Sequence, residues 1–271
     1  MQWFGWVLLV FAVTVILYLW MIAPSLRQPK PNVFPGKLIA HRGLHNAAQQ
    51  VYENSMKAFS LAIDHGYGIE MDVQFTKDKQ LIVHHDSNTA RICGVDRVIA
   101  QTDYADLPTI PDGSRIPLFS DFLAMVAGRV PLVVEIKGYG DQLETAQATL
   151  GFLREYEGPF CVESFAPRIV RYFRQHAPGI IRGQLDSCNP AIAKAHGLKK
   201  YIVSKHLLHN FVGRPHFIAY DCKYPASLSL LLDKYLFGAR LVAWTVNSQP
   251  LLEKTLKRYG TWIFEGFTPK R

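Results

Sequence analysis

Ile69-Glu-Met-Asp-Val-Gln-Phe-Thr-Lys-Asp-Lys-Gln-Leu-Ile-Val-His-His-Asp86 is the stretch on which the reading of this chain turns. Ile69, Met71 and Val73 alternate with Glu70, Asp72 and Gln74, the period of two of a β-strand with an apolar and an acidic face. Glu70 and Asp72 therefore share one side, roughly 6.6 Å apart along the strand. Two carboxylates aimed together raise each other's pKa unless a cation sits between them. Thr76 to Gln80 breaks the alternation, and Leu81-Ile-Val83 starts a second extended run that ends in His84, His85 and Asp86. Two acids with a histidine pair beside them suggest a metal site with an acid/base group attached.

The pattern around this hairpin-like unit alternates strand with helix. Lys37-Leu-Ile-Ala40 reads as a short buried strand ending at His41-Arg42-Gly43. Asn54 or Ser55 is the expected N-cap of a helix whose apolar face is Met56, Phe59 and Ile63. Residues 87–117 have no clear period and form a long excursion of the kind that is functional or disordered. Pro131-Leu-Val-Val-Glu-Ile-Lys-Gly138 is the next clear strand, with Glu135 and Lys137 on one face. Further strands are expected at 160–164, 180–185, 217–220, 241–246 and 262–264, with helices between them and an ambiguous segment at 201–211. Such alternation over about 235 residues predicts a parallel α/β fold of a size suited to a TIM-like (β/α)8 barrel, with the site on the loops at the strands' C-terminal ends. The nine candidate strands exceed eight by one, and the join at 76–80 is too short for a helix, which makes one of its two strands the extra one.

Before the barrel, Trp3 to Ile22 carries no charged side chain. Twenty residues in a helix span roughly 30 Å, the thickness of the bilayer's hydrocarbon core. Trp3 and Trp6 at one end and Tyr18 and Trp20 at the other fit aromatic belts. A cleaved signal peptide needs a basic start and a shorter apolar run, and Met1-Gln2 supplies no side-chain charge. Residues 1–23 are thus expected to be a single-pass anchor to the cell membrane, and 24–36, with prolines at 24, 29, 31 and 35, a stiff linker to a domain spanning 37–271. Arg27, Lys30, Lys37 and Arg42 follow the span and put that domain on the cytoplasmic side. The net charge of +8 favours anionic partners such as phosphate-bearing substrates or an acidic lipid surface. Lys199, Lys200, Lys205 and Arg214 form either a solvated face or one resting on anionic headgroups. No interleaved aromatic-basic pattern argues for nucleic acid. Cys93, Cys161, Cys188 and Cys222 show no CxxC spacing and read as small core residues in a reducing compartment. Neither a glycine-rich dinucleotide fingerprint nor a P-loop is present.

Taken in order, His41-Arg42-Gly43, Glu53-Asn54-Ser55, Glu70-Met-Asp72-Val, Thr76-Lys-Asp78, His85-Asp86, Glu135-Ile-Lys137 and Trp244-Thr-Val-Asn247 resemble the glycerophosphodiester phosphodiesterase family. Arg91-Ile-Cys-Gly94 and Ile116-Pro-Leu118 are similar to parts of that family's insertion. The resemblance implies a barrel, a divalent cation (Mg2+ or Ca2+), and hydrolysis of glycerophosphodiesters to glycerol 3-phosphate and an alcohol. It implies that Glu70, Asp72 and Glu135 hold the cation, that His41 and His85 are the acid/base pair, and that Arg42 and Lys137 contact the phosphate. Trp244 is expected either in the core or as a platform for substrate. Two stretches depart from the family pattern: the padding Ala47-Ala-Gln49 and the closing Ile263-Phe-Glu-Gly-Phe-Thr-Pro269. Both are expected on the leaving-group side.

The chemistry is consistent with those residues. A phosphodiester anion resists attack by its own charge, so cleavage needs charge neutralised on the non-bridging oxygens and protons moved at nucleophile and leaving group. Carboxylates supply an oxygen-rich site for a hard cation. Imidazole, with a pKa of about 6.5, moves protons at neutral pH. Period two puts His84 on the face opposite His85, and Asp86 marks His85 as the catalytic one. Bland readings stand beside each: Arg42 as an anchor for a carboxylate, Glu135 and Lys137 as a structural ion pair, and His206, His209 and His216 on a polar surface. Phospholipase D-like cleavage of lysophospholipids and an inactive, membrane-bound adaptor are the rival functions.

Overall fold

The computed structural model describes residues 2–27 and 37–270, so most of the expected proline-rich linker, residues 28–36, lies outside the described residues. Nine strands follow the N-terminal helix: β1 (Leu38–His41), β2 (Gly68–Phe75), β3 (Leu81–Val83), β4 (Leu132–Ile136), β5 (Phe160–Ser164), β6 (Arg182–Asp186), β7 (Phe217–Asp221), β8 (Arg240–Val246) and β9 (Thr261–Phe264). All pair in parallel except β3, which runs antiparallel to β2 through the tight 76–80 join and is the extra strand. The sheet closes because β1 pairs with both β2 and β9, giving a barrel of the TIM type.

Strand alternation sorts the side chains into two layers. One set packs outward under the helices, as Met71, Val73, Val134, Val162, Ile218 and Ala243 do. The other set fills the barrel: Ile39, Val133, Cys161, Leu185, Phe217, Val242 and Ile263. Phe217 lies so close to Gly183 on the neighbouring strand that a Cβ there would sit 2.2 Å from its ring, so only glycine fits at 183. Two residues further along β1, β4, β5, β8 and past the end of β9, the same inward positions are His41, Glu135, Glu163, Trp244 and Glu265. The barrel's interior thus turns from oily to acidic toward the strands' C-terminal ends.

Local chemistry explains the helices. The Ser55 hydroxyl accepts from Ala58 N–H and starts Met56–Asp64, which selects Ser55 over Asn54 as the cap. Asp141 caps Gln142–Arg154 and Ser227 caps Leu228–Tyr235 in the same way, while Pro167 occupies the first turn of Pro167–His176. The ambiguous 201–211 segment holds the end of Leu198–Lys205 and the start of Asn210–Gly213. The aperiodic 87–117 excursion is ordered around its own small core of Ile82, Ile99, Leu107, Ile110 and Ile116.

Two of the three histidines expected on a polar surface are elsewhere. His216 is buried against Arg182, and His209 is mostly buried, its Nε2 2.7 Å from Asp186 Oδ2. Polar sequence context misled there, because the partners come from β6.

The N-terminal helix, Gln2–Ile22, contains a segment, Trp3–Ile22, long and apolar enough to cross a membrane, and only 6% of its most apolar window is buried. Its last turn is docked on the barrel: Trp20 stacks on Phe211 at 4.7 Å, Asn210 Nδ2 donates to Ile22 O at 2.8 Å, and Ser25 N–H donates to Pro215 O. These partners precede β7, so the helix meets the barrel at the N-terminal ends of the strands. Asn210 also donates to Asp233 Oδ2 at 3.2 Å, whereas Asp233 Oδ1 has no partner among the described residues. Burial pushes the Asp233 carboxyl up to about 8. An acid whose folded pKa lies above its unfolded value destabilises the fold increasingly as pH rises from the unfolded toward the folded pKa. Asp233→Asn is therefore expected to raise the stability of the detergent-solubilised chain by about 1–3 kcal/mol at pH 8 and by almost nothing at pH 4. Thermal midpoints of both proteins across that pH range check this; an equal shift at both ends contradicts it.

Candidate active site

Every candidate site residue lies at the C-terminal end of the barrel. Glu70 and Asp72 project inward from β2, and Glu135 of β4 stands directly across the register from Asp72. All three are buried, and each offers an oxygen within 4.8 Å of the others. β5 adds a fourth acid, Glu163, opposite Glu135 and 2% exposed, with Oε2 unpartnered among the described residues. Two side-chain cations enter this cluster. Lys137 Nζ is 2.8 Å from Glu135 Oε1 and 2.9 Å from Asp72 Oδ1, and Arg42 Nε is 3.4 Å from Asp72 Oδ2. The Arg42 backbone N–H donates to Glu70 Oε2 at 3.0 Å, a geometry reached because Arg42 takes a positive φ of 55° just beyond β1. Asn54 Nδ2 donates to Asp72 Oδ2 at 2.7 Å.

The electrostatics follow from this crowding. Burial, with Asp72 and Glu135 nearby, raises Glu70 well above the ordinary carboxylate range. Burial would raise Asp72 too, but Lys137, His85 and Arg42 overcome it and hold Asp72 well below that range. Burial lifts Glu135 to about 7 against the pull of Lys137, and it lifts Glu163 further above its usual value. Four carboxyl groups facing two cations leave a deficit of positive charge, which a divalent cation fits. The donors are all oxygens and already gathered from separate strands. Glu70, Glu135 and Glu163 are raised because they lack counter-charge, and a bound divalent cation would let them ionise as ligands.

The two histidines flank the cluster, each oriented by a carboxylate. His41 Nδ1 lies 2.6 Å from Glu265 Oε2 and its Nε2 lies 3.8 Å from Glu70 Oε2. His85 Nδ1 lies 2.7 Å from Asp86 Oδ1. A carboxylate only accepts, so in each case Nδ1–H donates and Nε2 carries the lone pair. Burial lowers His41 and brings His85 to about 4, so both rings are neutral at pH 7. The hydrogen bond from His41 draws Glu265 down to about 2. His84, as its strand phase predicts, faces away and is buried, its Nε2 3.1 Å from Asn88 O.

Arg42 is held as an anchor as well as facing the site: Nη1 donates to Glu53 Oε1 at 2.7 Å. Glu53 accepts a bidentate pair from Arg91 at 2.7 and 2.8 Å, and Arg91 Nε donates to Asp86 Oδ2 at 2.6 Å. Arg91, from the long excursion, thereby ties the supports of Arg42 and His85 into one chain. Glu135 and Lys137 do form the ion pair the bland reading describes, but Asp72 shares it. Trp244 stands half-buried above the inner core, edge-on to Phe165 at 5.4 Å, and its indole N–H has no partner among the described residues.

Glu163 escaped the sequence reading altogether, and the supporting roles of Asn54, Arg91 and Glu265, which lie in stretches compared with the family, were not assigned. Glu163 was within reach, since it alternates with the inner-core Cys161. The roles of Arg91 and Glu265 could not be assigned locally, because Glu53 and His41, which they bond, lie in other segments. The two stretches that depart from the family pattern converge on one cleft of about 600 Å³, beside His41, whose lining includes Ala47, Ala48, Gln49, Glu265, Gly266 and Phe267.

Comparison with known proteins agrees with this geometry. The Glycerophosphoryl diester phosphodiesterase family profile matches residues 41–267. A glycerophosphodiester phosphodiesterase of Caldanaerobacter subterraneus subsp. tengcongensis is 26% identical over 235 residues, covering 81% of this chain and 89% of that protein. A human lysophospholipase D is 40% identical over 84 residues, but these are 31% of this chain and 26% of the relative. An Oleispira antarctica phosphodiesterase solved with the product sn-glycerol-3-phosphate shares the fold at a TM-score of 0.68 and 21% identity, over 85% of this chain and 93% of that one. Matched from the first catalytic-candidate histidine to beyond the last supporting acid, the chain belongs to the glycerophosphoryl diester phosphodiesterase family.

Proposed function

We propose that the chain hydrolyses water-soluble glycerophosphodiesters to glycerol 3-phosphate and an alcohol, using His41 and His85 as the acid/base pair. The observation that carries this is the meeting of three acids at one point with an oriented imidazole on either side. Glu70, Asp72 and Glu135 would hold a divalent cation, Mg2+ or Ca2+, which supplies charge neutralisation at the phosphoryl oxygens when bound. Arg42 and Lys137 add fixed positive charge for the same oxygens. One histidine, through its free Nε2, takes the proton of the attacking hydroxyl, whether water or the glycerol moiety's own. The other, after taking up a proton from solvent at its own Nε2, gives that proton to the departing alkoxide. Glu265 and Asp86 keep both rings in the tautomer with Nε2 facing the reaction, and they stabilise each imidazolium as it forms. Trp244, half-buried beside Phe165, offers its ring to the substrate, and the cleft beside His41 takes the alcohol.

The chain divides, on this reading, into a membrane anchor at 1–23, a linker at 24–36 and the barrel at 37–271, with the barrel on the cytoplasmic side. A second reading, cleavage of lysophospholipids, is favoured by the local likeness to a human lysophospholipase D. The docking of the apolar helix argues for the first reading. The helix leaves from the N-terminal ends of the strands, opposite the acidic cluster, so the site opens away from the anchored end.

Turnover of glycerophosphocholine and lysophosphatidylcholine by the full chain in mild detergent separates the two. We expect kcat/KM at least tenfold higher on glycerophosphocholine, with glycerol 3-phosphate as product. A preference for lysophosphatidylcholine rejects the soluble-substrate reading, and turnover of neither rejects both.

A further inference from the structure

Where the apolar helix meets the barrel there is a second cleft, of about 460 Å³, unrelated to the acidic cluster. Trp20, Arg27, Arg174, Arg182, Arg214 and Phe237 are among its lining residues. Four arginines from separate segments line it, and among the described residues the guanidinium groups of Arg174, Arg182 and Arg214 bond to backbone carbonyls, Arg182 also to His216 Nδ1, and none to a carboxylate. Arg182 donates to Gly213 O at 3.2 Å and Arg214 O at 2.9 Å. Arg174 uses only Nη1, toward Phe211 O and Val212 O at 3.4 and 3.3 Å. Arg214 Nη1 reaches Trp20 O at 2.9 Å and Ala23 O at 2.6 Å, capping the helix carbonyls that would otherwise repel an anion. A guanidinium has five N–H donors, so most of those on Arg174 and Arg214 remain uncommitted. The arginines also oppose one another: burial, then Arg174, lowers the pKa of Arg182 and of Arg214. Like charges gathered without counter-charge are costly unless an anion joins them.

We infer that this cleft binds the phosphate of an anionic phospholipid from the leaflet facing the barrel, and so fixes the barrel's stance on the membrane. This rests on the reading of the helix as a membrane anchor. The choice of a lipid over a free anion follows from position. The cleft lies at the last turn of the apolar segment, beside Trp20 and Leu19, where headgroups of an inserted helix would stand. Arg214 alone of the basic run Lys199, Lys200, Lys205 and Arg214 lines it.

The test uses the full chain. Alkaline carbonate extraction of membranes first shows whether the helix inserts. Native mass spectrometry in mild detergent then compares retention of phosphatidylglycerol and phosphatidylcholine, with inorganic phosphate as competitor. We expect the chain in the membrane pellet, one tightly held phosphatidylglycerol and at least tenfold preference over phosphatidylcholine. The double variant Arg27→Gln/Arg174→Gln, both at exposed positions, should weaken phosphatidylglycerol binding about 30-fold, at roughly fivefold per basic side chain. The charge-matched Lys199→Gln/Lys200→Gln should change it less than twofold, and both should keep full turnover of a soluble diester. Equal retention of the two lipids, or equal loss in both double variants, overturns the headgroup site while leaving anchor and enzyme readings intact. Displacement by an equal concentration of inorganic phosphate makes it a free-anion site and overturns the lipid. A chain released by carbonate sinks anchor and headgroup site together, and loss of turnover alone touches only the enzyme reading.

Discussion

His41→Ala is expected to lower kcat on glycerophosphocholine by about 10²–10⁴-fold, the usual worth of a positioned acid or base. The reason is geometric. His41 sits at the end of β1 with Nδ1 committed to Glu265 and Nε2 turned toward Glu70, whereas the neighbouring His45 reaches Glu265 only at 4.0 Å. His85→Ala should cost a similar amount, since His84 is buried on the opposite face and bonded to Asn88 O. Because the two imidazoles serve one turnover, the double variant should lose little more than the worse single one. The side chain of His41 is mostly buried and bonded to Glu265, so some loss of stability accompanies the substitution and the melt is needed to separate it from lost chemistry. Steady-state kinetics with a circular dichroism melt make the check. Parental turnover by His41→Ala would remove His41 from the mechanism.

Chelation is expected to have an effect at least as large. With EDTA present, turnover should fall to background, and one particular divalent ion should restore it. Glu70→Gln should require about 10- to 100-fold more of that ion for half-maximal rate. The physical reason is the donor set: Glu70, Asp72 and Glu135 gather their oxygens at one point. Their raised or lowered pKa values show that Lys137 and Arg42 supply counter-charge to Asp72 but not enough for Glu70 and Glu135, which a divalent cation would provide. Binding of the ion can be followed without turnover, by titration calorimetry or by a rise in thermal midpoint, which should shrink in Glu70→Gln and Glu135→Gln. Full turnover after exhaustive chelation would show that Lys137 and Arg42 suffice, and would make the acids structural.

How much was legible in advance depended on how local each signal was. The alternation in 69–75 and in 131–137 revealed strands and the faces of Glu70, Asp72, Glu135 and Lys137, because a strand's period of two needs no partner. The 76–80 join was too short for a crossover helix, and it does make β3 the antiparallel extra. His209 and His216 went the other way: their surroundings in sequence are polar, yet β6 supplies partners that bury them. Glu163 was overlooked for a related reason, as an acid in a short strand acquires meaning only when its neighbour across the register is Glu135.

Sequence alone determined the parallel barrel and the apolar N-terminal segment, since periodicity is a property of contiguous chain, and the resemblance named the acids and histidines that the structure brings together. Only the tertiary structure decided that Glu265 orients His41, that Arg91 links Glu53 to Asp86, and that the apolar helix docks at the end of the barrel remote from the acids. Those contacts join residues separated by up to 224 positions, and the longest of them, His41 to Glu265, exists only once β9 has closed on β1.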